Sequence, residues 1–269
     1  MQMRPSRVLA KLRSGAVASS IKLNLADARA AEIAAYSGVD CVWIDREHVP
    51  NDLAVLENQI RAAKAHDVDT IVRVPRGSYS ELIWPLEMDA AGIMVPHLMS
   101  AEDARQVVRQ TRFHPLGRRP LDGGNADGAY CMVPLDQYVR EANQERMVIV
   151  QIEDPEPMAE LDAIAQVPGI DMLFFGPGDF SQGIGHTGEM GHPRIVEARR
   201  LIPQTAARYG KFAGTVASLD TLPETIALGY HFINLTADVL ALADNFRRAV
   251  AAFNELTGAV PSPSGRGLG

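Results

Sequence analysis

The sequence predicts an α/β chain folded as a (β/α)8 barrel. Three observations lead there. Eight short apolar runs alternate with longer segments of helical periodicity between residues 18 and 254. The chain has 269 residues, 46% of them hydrophobic, which suits one barrel with one large core. An open doubly wound sheet is the runner-up, but the glycines of "GPGDFSQGIG" do not have the dinucleotide-binding spacing.

A lead-in helix within residues 1–18 is expected before the barrel, which spans 19–255. The strands are "SSIKLN" (19–24), "DCVWID" (40–45), "TIVRV" (70–74), "GIMVP" (92–96), "MVIVQI" (147–152), "DMLFF" (171–175), "KFAGTV" (211–216) and "HFINLT" (231–236). Each is short and rich in β-branched or aromatic residues. Helices fall between them. "ADARAAEIAAYSG" ends at Gly38, a natural C′ residue. "NDLAVLENQIRAAKAH" offers Asn51 as N-cap. "SAEDARQVVRQTRF" opens with Ser100 and two acids. "HPRIVEARRLIPQTAARYG" ends at Gly210, with Pro203 expected to kink or interrupt it. "LADNFRRAVAAF" closes the set. An insertion at 113–146 separates the fourth and fifth strands and carries one more helix, "PLDQYVREANQE". An insertion of that length is expected to serve function or subunit contact. Residues 256–269, ending in "PSPSGRGLG", read as a flexible tail.

Composition narrows the function. Net charge is -7 and no Lys/Arg-rich run occurs, so a nucleic-acid partner is not expected. No apolar run is long enough to span a membrane, and the N-terminus lacks a signal-peptide core. The two cysteines, Cys41 and Cys131, match no metal or disulfide spacing, and a cytoplasmic setting fits them.

In a barrel, chemistry sits at the C-terminal ends of the strands. Those ends carry Lys22 and Asn24; Asp45, Glu47 and His48; Arg73; His97; Gln151, Glu153 and Asp154; and "GPGDFS" with Asp179. Glu153 and Asp179 follow consecutive strands and make the best metal-ligand pair; two carboxylates suit Mg²⁺, Mn²⁺ or Co²⁺. Two solvated loop acids are the alternative. Arg73 lies inside an apolar strand, so it grips an anionic oxygen or forms an internal ion pair. His48 is a candidate base, oriented by Asp45 or Glu47, with a structural or solvent-exposed loop histidine as the alternative. The amides of "GPGDFS" lie in a tight turn that either holds an anion such as a carboxylate or is a turn alone. Lys22 is the only lysine near the mouth, and no motif supports a Schiff base there. Lys211 starts its strand, on the wrong face.

Taken together, "WIDREHVPND", "VRVPRGS", "DAAGIMVPHLMSAEDAR", "RFHPLGRRP", "VIVQIEDPE" and "GIDMLFFGPGDFSQGIG" resemble the HpcH/HpaI family of class II 2-keto-acid aldolases. That family includes 4-hydroxy-2-oxoheptanedioate, 2-dehydro-3-deoxyglucarate and 2-keto-3-deoxy-L-rhamnonate aldolases. The resemblance spans roughly residues 19–255. It implies a phosphoenolpyruvate/pyruvate-type barrel whose last helix is exchanged between subunits of a trimer or hexamer. It implies reversible cleavage of a 4-hydroxy-2-keto acid to pyruvate and an aldehyde. A divalent metal would be held by Glu153 and Asp179 beside Gln151, and Arg73 would bind the keto oxygen. Gly176, Pro177 and Gly178 would frame the carboxylate, and His48 paired with Asp45 would move the hydroxyl proton. Glu87 stands where the family has an aspartate reaching a neighbouring subunit's histidine. Lys22 stands where relatives carry an aromatic residue, and the 118–130 loop also departs from them. Lys22 with Arg118 or Arg119 is therefore expected to favour an anionic or heavily hydroxylated aldehyde. A CoA-thioester lyase of the citrate lyase β-subunit or malyl-CoA type, and a keto-acid-binding barrel without activity, are the alternative readings.

Overall fold

The computed structural model describes residues 1–258. Helix α1 (Arg7–Arg13) leads into β1 (Ala18–Leu23), and strands and helices then alternate. They are α2 (Ala28–Tyr36), β2 (Cys41–Asp45), α3 (Leu53–Ala65), β3 (Asp69–Arg73), α4 (Tyr79–Glu87), β4 (Gly92–Val95), α5 (Ala101–Thr111), α6 (Leu135–Glu145) and β5 (Met147–Ile152). The second half holds α7 (Leu161–Ala165), β6 (Met172–Phe175), α8 (Pro177–Gly183), α9 (Pro193–Arg208), β7 (Phe212–Val216), α10 (Leu222–Ala227), β8 (Phe232–Ala237) and α11 (Asp238–Thr257). All eight strands are parallel, in chain order, and β1 pairs with β8 to close the barrel. Each expected strand is present within a residue or two of its expected ends.

Strand alternation sorts the core into two shells. Outward-facing Val42, Ile44, Val72, Ile93, Val148, Val150, Leu173 and Phe175 pack under the helices. Inward-facing Cys41, Trp43, Ile71, Met94, Met147, Ile149, Met172, Phe174 and Phe232 fill the barrel. Phe174 meets Trp43 and Phe232 edge-on, with centroids 5.4 and 6.3 Å apart. Val8, Leu9 and Leu12 of α1 pack against this inner cluster and close the N-terminal end. Side chains therefore fill the barrel from below, and the C-terminal end is left open to solvent.

Several local expectations need correction. The N-cap of α3 is Asp52, whose side chain accepts from the Val55 N–H at 2.8 Å. Asn51 is instead buried and donates to Gln59 at 2.6 Å. Pro203 does not interrupt α9, which runs unbroken. A proline deprives the carbonyl four residues earlier of its donor. Here that carbonyl belongs to Arg199, and the Tyr230 hydroxyl donates to it at 2.9 Å. "GPGDFS" is no isolated turn: Gly176 is the N-cap and Pro177 the first residue of α8.

The insertion packs at the closed end. Glu141 and Glu145 of α6 accept from the Met3 and Ser6 amides at 2.8 and 3.0 Å. Arg119 is buried there against Asp127 and Tyr138, at 3.0 and 3.2 Å. Arg119 thus does not face the mouth of its own barrel, and exposed Arg118 lines a surface groove with Arg105, Arg109 and Pro168 instead of joining Lys22.

Helix α11 has no buried residue, and Leu240, Leu242, Phe246, Val250, Phe253 and Leu256 are exposed along it. The helix continues two residues beyond the expected boundary at 255; "PSPSGRGLG" lies outside the described residues. Among the described residues no helix is long and apolar enough to cross a membrane.

Candidate active site

The mouth is built on a buried carboxylate. Asp45 ends β2 with its side chain fully covered. Oδ1 accepts from Arg73 Nε at 3.0 Å and from the Glu47 and His48 amides at 3.0 and 3.4 Å. Oδ2 accepts from Arg73 Nη2 at 2.6 Å and lies 2.8 Å from Lys22 Nζ. The β2–β3 register places Asp45 directly beside Arg73, so the fork of hydrogen bonds is a cross-strand pair. Burial alone would raise the Asp45 carboxyl, but Arg73 and Lys22 outweigh it and hold the group down at about 2.

That shift predicts a pH signature. The Asp45 value is depressed from 3.8 to about 2, so its ionised form stabilises the fold above the ordinary carboxylate range. The contribution, about 2 kcal/mol, is lost as pH falls through the depressed value. Asp45→Asn is therefore expected to lower stability by at least about that much at pH 7. Urea unfolding should show the gap narrowing between pH 4 and pH 2; a gap independent of pH would contradict the assignment.

Arg73 is equally fixed on its other side. Nη1 lies 3.1 Å from Glu47 Oε2, an ion-pair contact not aligned as a hydrogen bond. The guanidinium carbon sits 5.2 Å from the centre of the Trp43 ring. Glu47 is thus a hub: it also lies 3.6 Å from His48 Nε2 and 3.5 Å from His97 Nε2. The expected His48–Asp45 pairing is not seen through the imidazole. Asp45 spends its oxygens on Arg73, Lys22 and two amides, and the half-exposed His48 ring is left to Glu47.

The second half of the site is acidic. Glu153 follows β5 and is 1% exposed. Its oxygens accept from the His97 amide at 2.9 Å and from Gln151 Nε2 at 2.7 Å. His97 has a left-handed backbone, φ 48°, which aims that amide at Glu153. Burial, with the charges of Asp179 and Glu47 adding to it, pushes the Glu153 carboxyl up to about 7 despite His97. Gly176 allows this approach, since a Cβ there would lie 2.6 Å from Glu153 Oε2. Asp179 stands exposed in the first turn of α8. The His97 ring donates through Nδ1 to Asp154 at 2.9 Å. Burial lowers that imidazole, but Asp154, Glu153 and Glu47 together raise it.

These residues fit a hard divalent cation. Glu153 and Asp179 lack a lysine or arginine partner within ion-pair distance among the described residues, and buried Gln151 Oε1 has no hydrogen-bond partner there. Among the described residues no three His, Cys, Asp or Glu side chains are arranged to hold a metal ion, so the protein would offer two carboxylates and leave other positions open.

Lys22, Asp45, Arg73, His48, Gln151, Glu153, Gly176, Pro177, Gly178 and Asp179 therefore share one end of the barrel. Glu87 does not: it ends α4 on the side of the insertion, where burial raises its carboxyl against the pull of Arg119. Sequence alone does not mark Glu47 as a hub, and nothing in it gives His97, Asp154 or Trp43 a role. His97 was visible at the end of β4, but its backbone conformation was not. Arg46 pairs with Glu81 at 2.7 Å, away from this network.

Comparison with known proteins supplies the family. Residues 21–244 match the sequence profile described as HpcH/HpaI aldolase/citrate lyase. The hydroxypyruvate/pyruvate aldolase of Pseudomonas aeruginosa is 33% identical over 98% of this chain and 97% of its own. The 2-keto-3-deoxy-L-rhamnonate aldolase of Klebsiella pneumoniae is 35% identical over 83% and 84%. The crystal structure of an HpcH/HpaI aldolase from Desulfitobacterium hafniense superimposes with a TM-score of 0.88 at 28% identity, covering 94% of this chain and 98% of that one. The closed parallel barrel is thus a shared framework, and the chain belongs to the HpcH/HpaI aldolase/citrate lyase family.

Proposed function

We propose that the chain is a 2-keto-acid aldolase, an aldehyde-lyase that reversibly cleaves a 4-hydroxy-2-keto acid to pyruvate, or a close 2-keto acid, and an aldehyde. The observation that carries this reading is Arg73, a cation immobilised by Asp45, Glu47 and Trp43 beside the acidic pair Glu153 and Asp179.

A divalent cation, Mg²⁺, Mn²⁺ or Co²⁺, held by Glu153 and Asp179 would supply Lewis-acid polarisation of the keto acid's oxygens. The rest falls to the chain's own side chains. Cleavage begins with removal of the 4-hydroxyl proton. His48, half exposed and steadied by Glu47, takes that proton. The bond between C3 and C4 breaks, the aldehyde leaves, and the electron pair moves onto the C2 oxygen. Arg73 N–H groups not spent on Asp45 and Glu47 donate to that oxygen, where the charge develops. A proton delivered to C3, balanced by loss of the one that His48 took, then gives pyruvate and returns the imidazole to its neutral form. The α8 first turn, with Gly178 open to solvent space and Gln151 behind it, frames the keto acid's carboxylate.

The exposed apolar side of α11 supports a homo-oligomer, a trimer or hexamer in which this helix is exchanged between subunits. Glu87 would then act across a subunit boundary. The buried Cys41 and free Cys131 agree with a reducing cytoplasm. No observation favours the thioester-lyase or non-catalytic readings. The test is release of pyruvate from a 4-hydroxy-2-keto acid by metal-loaded protein. Cleavage of a CoA thioester instead, or tight keto-acid binding without turnover, would replace this reading.

A further inference from the structure

We propose that Lys22 selects the aldehyde half of the substrate, by hydrogen-bonding an anionic group next to its carbonyl. The inference rests on the aldolase reading and deepens it.

The chain has four lysines, and three are committed to the closed end of the barrel. Lys11 pairs with Asp40 at 2.8 Å, and Lys64 pairs with Asp89. Lys211 donates to the Val167 and Ile170 carbonyls at 3.2 and 2.8 Å. Lys22 alone sits at the mouth, with a side chain 19% exposed.

Its ammonium is held, not saturated. Asp45 Oδ2 lies 2.8 Å away and the Trp43 ring centre 5.5 Å away. Among the described residues no other acceptor reaches it, so N–H groups remain for a ligand. Asp45, by contrast, is full, with Arg73, Lys22 and two amides on its two oxygens.

Lys22 and Arg73 reach the same Asp45 oxygen. The two cations are therefore within two hydrogen-bond lengths of each other. A substrate whose keto oxygen meets Arg73 brings its other end past Lys22. Both ends lie in one cavity of about 800 Å³, which Gly178 lines together with Lys22, Asn24, Trp43, Ser218 and Asn234. An ammonium offers only donors, and its strongest partner is a charged acceptor. A carboxylate or phosphate on the aldehyde supplies one.

The probes are glyoxylate and glycolaldehyde, nearly equal in size and differing in charge. Each is condensed with pyruvate by the metal-loaded enzyme, and by Lys22→Met and Lys22→Arg. The ratio of kcat/KM for glyoxylate over glycolaldehyde should fall about tenfold or more in Lys22→Met. Lys22→Arg should hold it within about threefold of wild type, since the charge is kept. Equal losses with both aldehydes would overturn the proposal and leave Lys22 as a positioning residue for Asp45 and Arg73. An unchanged ratio with unchanged rates would overturn it outright. Failure of the aldolase reading itself shows separately, as wild type unable to exchange pyruvate's methyl protons under any metal.

Discussion

Arg73→Met is expected to lower kcat/KM for aldol cleavage about a thousandfold. Two effects combine. The first is loss of a fixed, buried donor at the oxygen that becomes an enolate. The second is loss of order in the mouth. Arg73 is the common partner of Asp45 and Glu47, and it covers one face of Trp43. Without it Asp45 keeps only Lys22 as a cation, and Glu47 keeps only the histidines. Removing one member of a buried ion pair costs about 3 kcal/mol or more, so the melting temperature should fall as well. Arg73→Lys separates the two effects. A lysine restores charge but cannot form the two-pronged contact with Asp45, so stability should recover more than turnover. Arg73→Met activity within tenfold of wild type, in a folded protein, would remove Arg73 from the mechanism.

Glu153→Gln has the second largest expected effect. The amide matches the carboxylate in shape and can still accept from the His97 amide. It cannot neutralise a cation. Metal affinity, read by calorimetric titration with Mn²⁺, should weaken about a hundredfold, and turnover at moderate metal concentration should be lost with it. The fold should survive, because the substitution removes a buried charge without removing volume. Metal binding and turnover close to wild type would show that Asp179 and other groups hold the cation without Glu153.

The barrel was legible because its strands are short and apolar and its helices periodic; each run carries its own signal. The candidate site was legible for a related reason. A barrel delivers residues at strand ends to one mouth, so locating the strands also locates Asp45, Arg73, Gln151 and Glu153. What escaped depends on contacts between distant residues or on backbone shape. Pro203 reads as a helix breaker until Tyr230 is seen to satisfy the Arg199 carbonyl. Asn51 and Asp52 are both good caps, and Gln59 decides between them by claiming Asn51. His48 and Asp45 lie in one motif, yet the β2–β3 register gives Asp45 to Arg73. Arg119 lies in the insertion, and nothing local says that α6 pairs with the N-terminal segment. The role of His97 depends on a left-handed residue that no composition rule marks.

On the proposed mechanism, this mouth draws a proton from the methyl group of pyruvate, with Arg73 and a cation at Glu153 and Asp179 stabilising the enolate. That step can be followed without any aldehyde. Metal-stripped protein is placed in D2O with pyruvate, and the methyl resonance is followed by NMR as Mg²⁺, Mn²⁺ or Co²⁺ is added in turn. Slow or absent exchange is expected in the stripped protein, with exchange restored by at least one of these ions and no restoration in Glu153→Gln at moderate metal concentration. Folded protein that exchanges no methyl protons with any of the three ions would contradict it.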